Sequence, residues 1–164
     1  MSVPPGVTIR AAQPRDVTAL HALVRALAVY ERLEHLMVST PGDFERELFG
    51  PEARIECLLA DWDGQPVAFA LYYHNFSSFL GRRGLYLEDL FVLPEMRGRG
   101  IGRALLKTLA RTAVERGCGR FEWVVLDWNA TAIGFYEAMG AQVLPDWRLV
   151  RMTGEALTRF AEAP

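Results

Sequence analysis

The sequence is poor in cysteine and histidine, and it has no long apolar run. Two cysteines and three histidines occur in 164 residues, and Cys57 and Cys118 lack the spacing of metal ligands. A disulfide framework and a metal site are therefore not predicted, and we expect both cysteines to be reduced thiols. No apolar stretch approaches the roughly 20 residues that a membrane-spanning helix needs.

An excess of positive charge is also missing. The chain has 18 lysines and arginines against 20 aspartates and glutamates, which argues against nucleic-acid binding because such domains usually carry a basic face. The N-terminal segment contains Pro4, Pro5 and Arg10 and no apolar signal core, so a cytoplasmic protein without membrane partners is expected. With 51% apolar residues, we predict one domain over 1–164 with its core at about 7–160.

A glycine-rich turn between an apolar strand and an amphipathic helix is the most informative segment. It reads Arg97, Gly98, Arg99, Gly100, Ile101 and Gly102, and Arg103 follows. Glycines at alternate positions allow successive backbone N–H groups to point at one place, and the N-terminus of the following helix adds the positive end of its dipole. The pattern predicts a phosphate-binding loop with arginine charge around it.

Two other glycine-rich motifs do not fit this segment. A dinucleotide fingerprint needs glycine at relative positions one, three and six, but the sixth residue counted from Gly98 is Arg103 and from Gly100 is Leu105. A nucleoside-triphosphate loop needs Gly-Lys-Ser/Thr after its spacer, and no such run occurs. A plain connecting turn needs one special glycine rather than three beside three arginines.

Strands and helices are predicted to alternate along the chain. Strands are indicated over Val7–Arg10, Ile55–Asp61, Pro66–Tyr73, Leu85–Leu93, Phe121–Leu126 and Trp147–Met152. Helices are indicated over Asp16–Arg32, from Thr40 and Pro41, from the glycine-rich turn to Gly117, over Ala130–Met139 and after Thr153. We expect a loop from His74 to Gly84, and a central position in the sheet for Phe121–Leu126 because both of its faces are apolar. The fold class is α/β (α+β), with a mixed, mostly antiparallel sheet.

These residues resemble a known family. The stretch Leu85–Val92 followed by Arg97–Gly102 is similar to the acetyl-CoA strand and loop of the GNAT-superfamily N-acetyltransferases. Trp128 and Asn129 with Phe135 and Tyr136 resemble the second half-site of the spermidine/spermine (diamine) acetyltransferase family, and weaker similarity extends from Ile9 to Phe160. The resemblance implies a central sheet flanked by helices, with a splayed strand pair that forms the acetyl-CoA cleft.

The resemblance also implies acetyl-CoA as the co-substrate. The strand with Leu90 and Val92 would splay from Phe121–Leu126, the pantetheine arm would pair with its backbone, and the loop would hold the pyrophosphate. The implied cofactor-binding residues are Leu90, Phe91, Val92, Arg97, Gly98, Arg99, Gly100, Ile101, Gly102, Arg103 and Asn129. Asn129 can equally be interpreted as a helix cap, and both roles can hold.

Two residues are implied for the chemistry. Tyr136 resembles the catalytic tyrosine, and it would hydrogen-bond the departing sulfur, because a phenol with a pKa of about 10 protonates a thiolate of about 8.5 only as charge develops. The alternative interpretation of Tyr136 is a structural residue of the core that packs on Phe135. Glu88 would take the amine proton, directly or through water. Since neighbouring strand residues point to opposite faces, we expect only one of Glu88 and Asp89 to face the cleft, and Asp89 to form a structural pair, for example with an arginine.

The amine site is implied by positions that line it in the family. They are Tyr30, Glu31, Glu88, Glu122 and Trp147. Ser77, Ser78 and Phe79 stand where the family often has an acidic residue, a proline and a tryptophan, so a long polyamine is in doubt. A primary amine of a diamine, a polyamine or an amino-acid-like molecule would attack acetyl-CoA directly in a ternary complex.

Two alternatives remain open. A non-catalytic acyl-CoA sensor would use the same cleft, although Glu88 and Tyr136 argue against it. A protein N-terminal or lysine acetyltransferase would need an open groove, whereas Phe76, Phe79 and Trp147 favour a closed pocket for a small molecule. The resemblance further implies a homodimer, with the late strand and residues 76–80 as candidate contacts.

Overall fold

A five-stranded sheet organises the first part of the chain. A computed structural model of the protein describes residues 3–163. The strands are β1 Val7–Ala11, β2 Ile55–Trp62, β3 Gln65–Ser77, β4 Arg82–Val92 and β5 Arg120–Glu122. They lie in the order β1-β2-β3-β4-β5, with antiparallel pairing from β1 to β4 and parallel pairing between β4 and β5. The predicted mixed, mostly antiparallel sheet is confirmed.

Helices cover both faces of this sheet. The helices α1 Val17–Glu31 and α2 Pro41–Phe49 bury Leu20, Leu23, Leu27, Phe44 and Leu48 in one core with strand side chains that include Phe69, Leu71 and Phe91. The helix α3 Ile101–Glu115 packs against β2, β3 and β4. Because side chains alternate along a strand, the buried Leu85 and Leu87 belong to the α3 face, opposite the α1 face.

Local sequence signals set the helix ends. Thr40 and Asp43 form the capping box of α2, in which the Thr40 N–H donates to Asp43 Oδ2 at 2.8 Å, and Pro41 begins the helix. Gly100 precedes α3 with a φ of 80°, a left-handed conformation that suits glycine. None of the helices in the described part of the chain has the length and apolarity to cross a lipid bilayer.

One arginine ties the first strands to the start of α1. Arg10 donates from Nε to Asp61 Oδ2 at 2.6 Å, and from its two terminal nitrogens to the Asp16 carboxylate at 2.6 and 2.9 Å. Both aspartates are buried. Hydrogen bonding by Arg10 lowers the pKa of Asp16, so Asp16 is charged at neutral pH.

The chain divides into two compact units, Met1–Val124 and Val125–Pro164, so a single domain over 1–164 stays a prediction. The second unit contains α4 Ala130–Glu137 and α5 Gly154–Glu162. Asn129 Oδ1 accepts from the Ala132 N–H at 3.2 Å, which confirms the predicted helix cap. The predicted strand Trp147–Met152 is wrong, because these residues carry no strand and Val150 is 90% exposed. Alternating apolar residues show that a segment can pair, but a strand needs a neighbour for its hydrogen bonds.

Two further predictions are corrected in the sheet. The expected loop from His74 to Gly84 is shorter, because Ser77 pairs with Arg82 and only residues 78–81 turn the hairpin, with Gly81 at a φ of 61°. The expected central strand Phe121–Leu126 is β5, which covers only Arg120–Glu122 and lies at the edge of the described sheet. Apolar residues on both faces did not require a second strand neighbour, since none of residues 121–126 is fully buried and Val124 is 56% exposed.

Candidate active site

A β-bulge interrupts the pairing of β4 with β3. Tyr72 lies opposite Leu87 and Leu71 lies opposite Asp89, so Glu88 is the extra residue without a partner in β3. An extra residue bends the strand and breaks the alternation of its side chains. The bulge therefore changes which side chains of β4 share a face.

Both carboxylates of the bulge belong to the α1 face. Tyr86, two residues earlier, pairs with Tyr73 on this face, so alternation returns Glu88 to it after Leu87. Asp89 lies opposite Leu71, which is part of the core beneath α1. The prediction that Glu88 and Asp89 point to opposite faces is wrong, because it assumed an unbroken strand.

Burial makes Asp89 the most perturbed carboxyl at this face. Burial in the first place, and then the charges of Glu88 and Glu31, raise the pKa of Asp89 to about 7. No arginine or lysine among residues 3–163 forms an ion pair with it, so the predicted structural pairing of Asp89 is wrong. Asp89 can therefore exchange a proton near neutral pH.

The other acidic residues predicted for the amine site have different surroundings. Glu31 is the last residue of α1, and burial raises its pKa. Glu122 accepts a hydrogen bond from Asn75 Nδ2 at 2.6 Å and pairs with Arg120 at 3.0 Å. The charge of Glu122 is therefore offset by its neighbours, whereas Glu31 acts on Asp89.

Two tyrosines stand beside the bulge on the same face. The rings of Tyr73 and Tyr86 lie 5.1 Å apart between centroids. Burial, followed by the charge of Glu88, raises the pKa of Tyr73. An aromatic wall beside carboxylates suits an organic cation, because rings attract cations and carboxylates supply the opposite charge.

The strand pair β4–β5 separates just before the bulge. Pairing ends at Tyr86 and Glu122, although β4 continues to Val92. The Leu93 N–H donates to the Val67 carbonyl at 3.0 Å, and alternation then directs the backbone groups of Leu90 and Val92 away from β3. This open edge has the donors and acceptors that an extended amide chain can pair with.

The glycine-rich turn follows directly from this open edge. Gly98 and Gly100 have φ values of 75° and 80°, and α3 begins at Ile101 without a side-chain cap. The amides of the first helical turn, including those of Gly102 and Arg103, therefore remain available to an anion. The geometry fits the predicted phosphate-binding loop.

Two of the three predicted loop arginines rest on aromatic rings. The guanidinium carbon of Arg97 lies 4.3 Å from the centroid of the Tyr30 ring. That of Arg99 lies 5.0 Å from the Trp62 ring. Arg103 is exposed in the first turn of α3. The three cations thus have different surroundings, which spacing alone did not reveal.

Three predicted site residues lie in the second unit. Asn129 precedes α4, and Tyr136 lies within α4 with its ring 5.5 Å from that of Phe135. Trp147 is 76% exposed, and its backbone N–H donates to the Leu144 carbonyl at 3.3 Å. The first unit brings together Tyr30, Glu31 and Glu88 with Asp89, which the sequence had assigned elsewhere.

The bulge left a weak signal in the sequence. On the α3 face the apolar residues are Leu85, Leu87, Leu90 and Val92, so one step of three replaces the usual step of two. Tyr86 and Phe91 are apolar residues of the opposite, α1 face. They hide this shift, because both faces of β4 then look apolar. For this reason the sequence did not place Asp89, Tyr73 and Tyr86 in the candidate site.

Comparisons with known proteins agree with this geometry. A statistical model of the acetyltransferase (GNAT) family matches residues 19–141. The chain is 37% identical to thialysine N-epsilon-acetyltransferase of Bos taurus, over 94% of this chain and 97% of the relative. It is 35% identical to L-ornithine N5-acetyltransferase NATA1 of Arabidopsis thaliana, over 91% of this chain and 85% of the relative.

Solved structures share the fold. An integron cassette protein from the mobile metagenome of V. cholerae has a TM-score of 0.80 at 24% identity, over 96% of this chain and 99% of that chain. Ribosomal-protein-alanine N-acetyltransferase from Brucella melitensis has a TM-score of 0.71 at 25% identity, over 90% and 99% of the two chains. With its splayed strand, its glycine-rich turn and these relatives, the chain belongs to the acetyltransferase (GNAT) family and is an N-acetyltransferase.

Proposed function

We propose that the protein transfers the acetyl group of acetyl-CoA to a primary amine of a small, short molecule by direct attack in a ternary complex. GNAT acetyltransferases use acetyl-CoA as co-substrate, and relatives over nearly the whole chain are named for thialysine and L-ornithine. The observation that carries the proposal is the β-bulge that turns Glu88 and Asp89 to one face, within electrostatic reach of Glu31. Three carboxylates beside tyrosines suit an ammonium group.

The hairpin before β4 supports a short amine. Ser77 is buried, and its Oγ accepts from the Leu80 N–H at 3.3 Å. The position for which the family resemblance implies an acidic residue thus holds a serine that stabilises a turn. A long polyamine would find no carboxylate there for its distant ammonium group, so a diamine or an amino-acid-like amine is the proposed substrate class.

The amine must lose a proton before it attacks, and pKa differences decide which carboxylate is the better base. Transfer from an ammonium with a pKa of about 10.4 to an ordinary carboxylate near 4 costs about 9 kcal/mol. Transfer to Asp89, whose pKa is about 7, costs about 5 kcal/mol. We therefore add Asp89 to Glu88 as a candidate base, while Glu88 attracts the cation.

Bond changes in the reaction are simple. The neutral amine nitrogen bonds to the acetyl carbon, the carbon–sulfur bond breaks, the nitrogen releases one proton to become the amide, and the thiolate of CoA takes up one proton. Tyr136 is proposed as the hydrogen-bond donor to that sulfur, and Asn129 and Trp147 as contacts of cofactor and amine. These three roles rest on the sequence resemblance alone.

The cofactor contacts are proposed from the open edge and the glycine-rich turn. The backbone groups of Leu90 and the N–H of Val92 would pair with the pantetheine amides, next to Phe91, since the Val92 carbonyl already accepts from Arg97 Nε. The amides from Gly98 to Arg103 would hold the pyrophosphate, and the exposed Arg103 would add charge. Positive φ values at two glycines and an uncapped α3 support this placement.

An amine screen tests the proposed function. Purified protein is incubated with acetyl-CoA and putrescine, spermidine, thialysine, ornithine, free amino acids or a peptide with a free N-terminus, and CoA release is measured. We expect turnover with a diamine or an amino-acid-like amine, and losses of about 10²-fold or more in kcat/KM for Glu88→Gln or Asp89→Asn. Glu52→Gln, at an exposed turn outside the site, is the matched control. Turnover of the peptide alone would favour a protein acetyltransferase.

We also propose a homodimer in the cytoplasm. The hairpin after β3 supports an interface, since Phe76 is 63% exposed and Phe79 is 96% exposed. Light scattering of the wild type and of Phe79→Ser tests this interface. A dimer mass in the wild type that falls in the variant supports an interface at the hairpin, and a monomer mass in both proteins contradicts the homodimer.

A further inference from the structure

Arg97 occupies the start of the glycine-rich turn, but its side chain lies on the α1 face. Its guanidinium carbon is 4.3 Å from the ring centroid of Tyr30 and 5.5 Å from that of Phe91. Its Nε donates to the Val92 carbonyl at 3.0 Å. One side chain therefore joins the end of β4, the turn and the last part of α1.

The last turn of α1 is less deeply buried than the rest of the helix. Residues up to Leu27 are buried in the core, whereas Tyr30 is half-buried and packs against the edge of that core, where its ring lies 6.3 Å from that of Phe91. The helix ends at Arg32, which has a φ of 62°. Tyr30 and the following Glu31 thus depend on local contacts for their position against β4.

We infer that Arg97 is a positioning residue for the amine substrate, although it lies in the cofactor loop. It holds Tyr30 and Glu31 against the bulge of β4, where the charge of Glu31 acts on Asp89. The inference rests on the proposed function, in which this face binds the amine. Arginine suits the task because a planar guanidinium can stack on a ring while its Nε donates to a carbonyl.

Arg99 offers a matched comparison in the same turn. It also lies over an aromatic ring, that of Trp62 in β2, at 5.0 Å. This contact leads to the hairpin between β2 and β3 rather than to α1. If charge in the loop were all that mattered, Arg97 and Arg99 would be equivalent, whereas the ring contact of Arg97 lies at the end of α1 and that of Arg99 lies at the end of β2.

The kinetic test compares Arg97→Gln, Arg97→Lys and Arg99→Gln at saturating acetyl-CoA with the amine varied. We expect Arg97→Gln to raise the amine KM about tenfold, as the loss of a 1.4 kcal/mol contact does, with kcat changed by less than about threefold. Arg97→Lys should not restore the KM, because an ammonium cannot stack and reach the Val92 carbonyl together. The rise in the amine KM should be larger for Arg97→Gln than for Arg99→Gln, and Glu52→Gln, which lies outside both sites, should leave the amine KM within about twofold of the wild type.

Hydrogen exchange supplies a readout that needs no turnover. Arg97→Gln should speed amide exchange in the last turn of α1, at residues 28–32, and Arg99→Gln should not. Equal amine KM values for the two glutamine variants, or unchanged exchange in α1, would overturn the inference. A wild type that binds CoA but acetylates no amine would instead overturn the proposed function, and the exchange comparison would still decide the contact.

Discussion

Replacement of Asp89 by asparagine tests the origin of its perturbed acidity. The side chain keeps its shape but no longer titrates. In the wild type, burial together with the charges of Glu88 and Glu31 raises the pKa of Asp89 from 3.8 to about 7. Between these values the native state keeps a proton that the unfolded state has released, so stability falls as the pH rises.

The size of this effect follows from the pKa difference. Each pKa unit corresponds to about 1.36 kcal/mol, which gives an upper limit of about 4 kcal/mol for Asp89. Because Asp89 keeps some exposure to solvent, screening removes part of this, and we expect about 2 to 4 kcal/mol. The wild type loses this free energy of unfolding from about pH 4 to pH 7, and the loss levels off above pH 7.

Urea denaturation between pH 4.5 and pH 8 measures the prediction. The free energy of unfolding of Asp89→Asn minus that of the wild type should rise by about 2 to 4 kcal/mol over this range. Glu88→Gln removes one neighbouring charge, so the slope of the wild-type profile should decrease in that variant. Parallel profiles for the wild type and Asp89→Asn would refute the reasoning, because no native proton would then be retained.

The same titration governs catalysis if Asp89 is the base. The kcat/KM for the amine should rise through about pH 7 in the wild type, and Asp89→Asn should lower it by about 10²- to 10⁴-fold. The stability profile should level off at the pH that is the midpoint of the rate profile, because both points report the pKa of Asp89 in the native state. A stability profile as predicted, together with an unchanged rate profile, would leave Glu88 or water as the proton acceptor.

Three further outcomes are expected. Tyr136→Phe should lower kcat strongly with little change in acetyl-CoA affinity, measured by calorimetry and steady-state kinetics, and unchanged turnover would remove Tyr136 from the mechanism. Burial raises the pKa of Cys57 to about 12, so iodoacetamide should modify Cys118 alone in the native protein, as peptide mass spectrometry will report. Arg10→Met leaves the buried Asp16 and Asp61 without their cation. Urea denaturation should show that the free energy of unfolding falls by about 3 to 5 kcal/mol.

Features set by a single residue type were predictable from the sequence. The glycines of the loop take left-handed backbone angles at Gly98 and Gly100, as a phosphate-binding turn requires. Thr40 before Pro41 begins α2, and Asn129 caps α4. Such signals act within a few residues, so one sequence is enough to read them.

Features that depend on a distant partner were not predictable in the same way. The segment Trp147–Met152 alternates like a strand, but alternation does not supply a neighbour. The acidity of Asp89 depends on burial by β3 and α1 and on the charge of Glu31, which lies 58 positions earlier in the sequence. The ring contact of Arg97 joins it to a residue 67 positions away, Tyr30.

The bulge at Glu88 connects the two halves of the proposed chemistry. Pairing of β4 with β5 ends at Tyr86, and a bulge two residues later bends the strand and increases its twist. The bend would carry Leu90 and Val92 away from the line of β5, which opens an edge for the pantetheine arm. The same extra residue returns Asp89 to the face of Glu88. Deletion of Glu88 should therefore straighten β4 and close the open edge, so that CoA affinity is lost although Asp89 stays opposite Leu71 on the α1 face, whereas Glu88→Gln should keep CoA affinity.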